Sequence, residues 1–245
     1  MSDMYLFYLL LFFVAFLYAS VGHGGASGYL ALMAIFNVAP TVMKPTALLL
    51  NLFVAGVSFY QYYKAGYFNK RLFIPFAFAS IPLAFVGGLV TIDALIYKKL
   101  LGLLLLIPIL RFTVFQFLPS KPLKPNNIPL SLLIGGIIGL LSGMLGIGGG
   151  ILLSPVIILL SWGGQKEAAA VSALFILVNS LSGLAGQMSK GIHFTPEMAV
   201  YVAVAFTGGI AGGYLGAKKF STPIIRNTLA CVLTIAAYKL LFTGA

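Results

Sequence analysis

The chain has 245 residues, 60% of them hydrophobic and 8% charged, with a formal net charge of +11. A soluble domain carries about 25% charged residues, so the composition excludes one and points to a polytopic membrane protein. The basic excess does not indicate nucleic-acid binding, because the cations lie in short loops between apolar runs, where they orient a membrane protein. The single cysteine, Cys231, excludes an internal disulfide and gives no metal-site spacing.

The first apolar run lies between Asp3 and Lys44, which enclose 40 residues without Asp, Glu, Lys or Arg. It has no basic n-region and reads as a spanning segment, not a cleaved signal. Residues 4–36 would form a helix of about 50 Å at 1.5 Å per residue, against a hydrocarbon core of about 30 Å. The run must therefore break, and GHGGASGYL (22–30) marks the place. A crossing piece over about 4–21 is followed by a short piece over about 28–39 that ends at Pro40. Three ordinary spans come next, 45–63, 72–92 and 100–120, the last interrupted by Arg111. After PSKPLKPNN (119–127) the pattern restarts. A second over-long run breaks at GIGGGILLSP (146–155) into pieces over 130–145 and 151–162. Spans at 168–189, 198–217 and 220–238 follow, the last interrupted by Arg226.

The two series match in order. KPTALLLN (44–51) answers AVSALFIL (170–177), YKAG (63–66) answers MSKG (188–191), and FVGG (85–88) answers AGGY (211–214). The expected fold is an all-α polytopic membrane protein with two homologous halves. Each half has a glycine-broken first helix and three further transmembrane helices: 1–118 is the first repeat, 119–128 the linker and 129–245 the second repeat. If the short pieces cross, the halves are parallel. If they return, the halves are inverted. Loop charge favours inversion, because it gathers Lys64, Lys70, Arg71, Lys121, Lys124, Lys166, Lys218, Lys219 and Arg226 on one side and leaves five cations on the other.

Non-helical backbone at membrane depth must be buried in protein or line a polar cavity. A broken helix exposes the free N–H groups of its second piece, and these favour an anion. The candidate site is therefore Gly22, His23, Gly24, Gly25, Ala26 and Ser27 in the first break, with Gly146, Gly148, Gly149 and Gly150 in the second. Thr46, Asn51, Ser172 and Asn179, in the segments that follow, are candidates to line the pathway. Glycines in membrane helices also serve close packing, and buried amides also bond between helices. His23 suits an anion as cation or N–H donor and titrates in the physiological range. Asp3, Asp93, Glu167 and Glu197 lie near segment ends, which argues against a carboxylate proton relay in the membrane.

YASVGHGGASGYLALMAIF with KPTALLLN, and GMLGIGGGILLSPVIILL with AAAVSAL, resemble the TauE/SafE family of sulfite-exporter-type permeases over nearly the whole chain. The resemblance implies transport of a small, often sulfur-containing anion such as sulfite, thiosulfate, sulfate or an organosulfonate. It marks glycines 22, 24, 25, 146, 148 and 149 as family motif positions.

The expectation is a secondary transporter or facilitator of such an anion, multi-pass in the cell inner membrane. No enzymatic activity, cofactor, metal or nucleic acid is expected, and a homo-oligomer is compatible. The alternatives are a passive anion channel, or an intramembrane serine protease using Ser27 of GASG (25–28). A protease needs a histidine base in reach, and the chain has only His23 and His193.

Overall fold

A computed structural model describes residues 2–20, 24–113, 122–191, 195–219 and 222–242. Among the described residues ten α-helices follow one another: α1 (Ser2–Ser20), α2 (Ala26–Ile35), α3 (Pro40–Lys64), α4 (Lys70–Leu89), α5 (Ala94–Thr113), α6 (Ile128–Leu145), α7 (Gly150–Leu159), α8 (Gln165–Met188), α9 (Pro196–Lys219) and α10 (Thr222–Phe242). No strand occurs among the described residues. Backbone polar groups in lipid must be satisfied internally, in a helix or a closed barrel, and apolar runs of about 20 residues take the helix. Among the described residues four helices, α3, α4, α6 and α8, are long and apolar enough to cross a membrane. The expected all-α membrane architecture is the observed one.

Both over-long runs are broken. α1 ends at Ser20 and α2 begins at Ala26, and α6 ends at Leu145 and α7 begins at Gly150. The short pieces return. Phe7 near the start of α1 lies 5.2 Å, ring to ring, from Phe36 just beyond the end of α2, and Tyr18 near the end of α1 bonds Ser27 in the first turn of α2. α7 likewise runs back along α6: Ser161, just past α7, accepts from the backbone N–H of Lys124, ahead of α6, at 2.7 Å.

Helix directions follow from glycine-seamed contacts. Gly135, Gly139 and Gly143 of α6 lie on the backbone at Phe76, Ser80 and Ala84 of α4, so the two helices run parallel in steps of four. A side chain at any of the three would overlap α4 backbone. α8 also runs parallel to α4, with Ser182 Oγ donating to the Ile81 carbonyl at 2.6 Å and Gly186 on Phe85. On the other side of the molecule α9 runs parallel to α1, through Gly208 on Phe12 and Gly212 on Phe16, and α9 also packs on α3. Two groups of helices result, α4–α6–α8 and α1–α3–α9. They meet where α3 and α8 cross antiparallel, with Leu48 near Gly183 and Gly56 near Leu177. α5 and α10 pair alongside, with Gly102 against Leu240 and Leu241.

Contacts at the helix ends fix two poles of the bundle. At one pole Lys166 Nζ donates to Tyr67 Oη at 2.9 Å, and Asn69 bonds Glu167. At the other Tyr97 Oη donates to the Leu145 carbonyl at 3.0 Å, Lys239 Nζ to the Ile35 carbonyl at 2.6 Å, and Lys190 bonds Thr91. Residues with positive φ recur at a spacing of 124 or 125: Gly25 with Gly149, Asn37 with Ser161, and Gly66 with Gly191.

Candidate functional site

Each short helix starts at a glycine in the left-handed region. Gly25 caps α2 at φ 86°, and Gly149 caps α7 at φ 77°, and neither provides a side-chain hydrogen bond to the first turn. The conformation disfavours any residue with a Cβ. It leaves the first N–H groups of α2 and α7 pointing out of the helix, where an anion is stabilised.

The two breaks come together. A methyl group added at Gly24 would lie 3.1 Å from Ile176 Cδ1 and Cγ2 and 3.3 Å from Ala55 Cβ. One added at Gly148 would lie 2.5 Å from Asn51 Nδ2, 2.9 Å from Ile176 Cγ2 and 3.1 Å from Ser180 Oγ. At Gly150 it would overlap Ile176 and approach the Ser172 carbonyl to 2.6 Å. Ile176 therefore stands between residues of both breaks. Asn51 is the twelfth residue of α3 and Ile176 the twelfth of α8, so the meeting point lies midway along both helices.

Of the sequence candidates, Gly24, Gly148 and Gly150 line this meeting point, and Asn51 joins them by donating from Nδ2 to Ser180 Oγ at 3.1 Å. Asn51 is fully buried and its Oδ1 has no partner. Ser172 Oγ, also buried, has none either. Such groups cost about 1–3 kcal/mol when left unmatched, and here they stand beside a half-helix N-terminus.

Other candidates lie elsewhere or bond locally. Ser27 Oγ and Tyr18 Oη share a hydrogen bond of 2.6 Å. Asn179 turns Nδ2 back onto the Phe175 carbonyl of its own helix at 2.8 Å. Gly146 closes α6 at φ 81°, against the backbone of Lys44. Thr46 is buried on α3 with Oγ1 unpartnered, between Lys44 and Asn51 in the chain. Ala26 is the first residue of α2. Gly22, His23 and His193 lie outside the described residues. The acids sit at helix starts: Asp93 accepts from Leu95 N at 2.8 Å, and Glu167 from Gly164 N at 3.3 Å. Among the described residues no group of three or more His, Cys, Asp or Glu could hold a metal ion.

Sequence reasoning missed Ser180 and Ile176. Ser180 is eight residues after Ser172, so helical spacing puts the two on one face; the adjacent Asn179 drew the attention instead. Ile176, midway between them on that face, is an aliphatic residue in an apolar run and carries no signal.

Residues 7–240 match the model of the family described as sulfite exporter TauE/SafE. The chain belongs to the TauE/SafE family. It is 34% identical over 235 residues to a probable membrane transporter protein, y4hK, of Sinorhizobium fredii, covering 94% of this chain and 95% of that one. A probable membrane transporter protein of Bacillus subtilis, YunE, is 32% identical over 114 residues, 45% of this chain and 40% of that one. A third, MJ0441 of Methanocaldococcus jannaschii, is 28% identical over 131 residues, 52% and 49% of the two chains. No solved structure matches. With its apolar helices, this TauE/SafE member is a multi-pass membrane transporter.

Proposed function

We propose that this TauE/SafE transporter is a secondary transporter or facilitator of a small, sulfur-containing oxyanion, in the inner membrane. The observation that carries the reading is the meeting of the Gly24 and Gly148–Gly150 breaks on Ile176 at mid-helix depth. Two half-helix N-termini at one point supply N–H groups and positive dipole ends to an anion. Discontinuous helices near the membrane centre place substrate sites in many secondary transporters. The Asn51 amide, with a second N–H beyond its bond to Ser180, and the unpartnered Ser172 hydroxyl add polar contacts. The sulfur-oxyanion class comes from the family description.

The mechanism is alternating access between two inverted repeats, 1–118 and 129–245, joined by 119–128. Supporting it are the returning short helices, the recurrent positive-φ positions and the exchanged packing of α4 and α9. In this scheme the moving bodies are α4–α6–α8 and α1–α3–α9, each drawn from both repeats, and the anion sits where α3 crosses α8.

Flux into proteoliposomes tests the reading, using a panel of sulfite, thiosulfate, sulfate and organosulfonates with and without imposed pH and voltage gradients. Saturable uptake of one of them, with protection of the purified protein from thermal unfolding by that anion and not by cations, is expected. Absence of flux for the whole panel would remove the assignment.

A further inference from the structure

The loop between α3 and α4 joins two helices that are each long and apolar enough to cross a membrane, so it lies at a bilayer surface. The side chains around it fit that depth. Tyr60 and Tyr63, near the end of α3, are 64% and 55% exposed, and tyrosines collect at the membrane–water interface. A cavity of about 480 Å³ opens against this loop, walled by residues 66–71 and by Glu167 of α8. Its walls are held from two sides. Phe68 packs on Phe59, Tyr63 and Phe73, with ring centres 5.2, 6.1 and 5.6 Å away. Lys166 Nζ donates to Tyr67 Oη at 2.9 Å and lies 4.8 Å from the centre of that ring. Asn69 Nδ2 donates to Glu167 Oε1.

The charges that line the cavity are mixed in sign. Lys70 and Arg71, the first two residues of α4, are exposed cations. Glu167, in the first turn of α8, accepts from Asn69 on one oxygen and from the Gly164 backbone N–H on the other, and each carboxylate oxygen has a second lone pair. Asn69 precedes Lys70 and bonds Glu167, so the cations and the carboxylate share one small patch. A simple anion meets the carboxylate as a like charge. A ligand with an acidic group and an N–H cation a few bonds apart matches both signs. We propose that this cavity is a phospholipid headgroup site, in which Lys70 and Arg71 hold the phosphate and Glu167 accepts from the ammonium of an ethanolamine-type headgroup. Arginine suits two phosphate oxygens at once, and lysine adds a point charge. A choline headgroup has no N–H for Glu167, and a phosphoglycerol headgroup has no cation. The position of the cavity at the bilayer surface, beside exposed tyrosines, makes a lipid the source of the headgroup. The inference is independent of the anion site at the helix breaks.

Phosphatidylethanolamine, phosphatidylcholine and phosphatidylglycerol with identical acyl chains make the test set. Each is titrated into detergent-purified, monodisperse full-length protein, and bound lipid is counted by native mass spectrometry. The unaltered protein is expected to bind phosphatidylethanolamine about tenfold tighter than phosphatidylcholine, the low end of what a hydrogen bond to a charged group is worth. Glu167→Gln keeps an acceptor for Asn69 and removes the negative charge, and is expected to bring that ratio close to one. Lys70→Gln with Arg71→Gln, at exposed positions, is expected to weaken all three lipids about tenfold or more. Soluble phosphoethanolamine is expected to compete poorly with the lipid. Equal binding of the ethanolamine and choline lipids to the unaltered protein overturns the proposal without any variant having to fold. A preference for phosphatidylglycerol would reduce the patch to general attraction of negative charge and also overturns it. So does a ratio unmoved in Glu167→Gln, binding unmoved in the Lys70 and Arg71 double variant, or soluble phosphoethanolamine that competes as well as the lipid. None of these outcomes bears on the transported anion, which the flux panel tests separately.

Discussion

Gly25 and Gly149 hold the same left-handed backbone conformation at the starts of two ten-residue helices, with φ 86° and 77°. Their side-chain neighbours differ. A Cβ at Gly25 would meet the Tyr29 ring at 2.6 Å, and one at Gly149 would meet Ile138 at 2.7 Å and Phe175 at 2.9 Å. If both breaks serve one ligand, Gly25→Val and Gly149→Val each abolish anion binding, although the positions lie in different halves. Each variant also loses stability, by about 1–2 kcal/mol from the backbone conformation alone. Titration of the folded fraction separates the two effects, and normal affinity in folded Gly149→Val would count against the shared site.

The seam between α4 and α6 gives a graded stability series. Gly143 lies against the Ala84 carbonyl and the Gly88 amide, both backbone atoms that cannot swing aside. Gly66 has a positive φ and open space around its Cβ position. Gly66→Ala is expected to cost about 1 kcal/mol, from the left-handed conformation. Gly143→Ala is expected to cost about 1–3 kcal/mol, the usual penalty for overpacking a close contact. Thermal unfolding in detergent orders the two variants, and equal losses would mean that the seam yields.

His23 lies in the first break by sequence, so His23→Ala should lower flux in a protein that still folds and inserts. If it is the proton-sensitive group, its loss flattens the pH dependence of flux between about pH 5.5 and 7.5, the range that brackets an ordinary histidine. Flux identical to that of the unaltered protein at every pH would assign His23 a structural part only.

If the repeats are inverted as proposed, Lys70, Lys166 and Lys218 lie on one membrane face and Lys98 and Lys190 on the other. Single cysteines at these positions, in a Cys231→Ala background, should react with an impermeant thiol reagent in two groups, from opposite sides of sealed vesicles. The more basic group is expected to face the cytoplasm. Lys70 and Lys218 reacting from opposite faces would exclude inversion.

The helical breaks were legible in the sequence because two independent constraints met on them: a run too long for the bilayer and a cluster of glycines within it. Pieces expected over about 28–39 and 151–162 appear as α2 (Ala26–Ile35) and α7 (Gly150–Leu159). Which helices pack together was not legible. A helix such as α4 is apolar around its whole circumference, so its sequence carries no inward face. Its partners are set by where glycines let backbones touch, and Gly135, Gly139 and Gly143 acquire that meaning only beside Phe76, Ser80 and Ala84. The polar candidates were legible as residue types and not as contacts. Asn51 reaches across 129 residues to Ser180, whereas Asn179 bonds within its own turn.

The seam of α4 on α6 and α8 also orders the making of the protein. A ribosome delivers α1 through α5 to the bilayer before α6 or α8 has been synthesised. α4 satisfies its own backbone and can reside in lipid alone, but its close-packed partners are still to come. α1 and α3 wait in the same way for α9, the next-to-last helix. Insertion and packing are therefore separate stages here. A chain that stopped at the linker would leave five inserted helices with α4 and α1 bare to lipid along the faces they later seal, a natural substrate for membrane quality-control proteolysis.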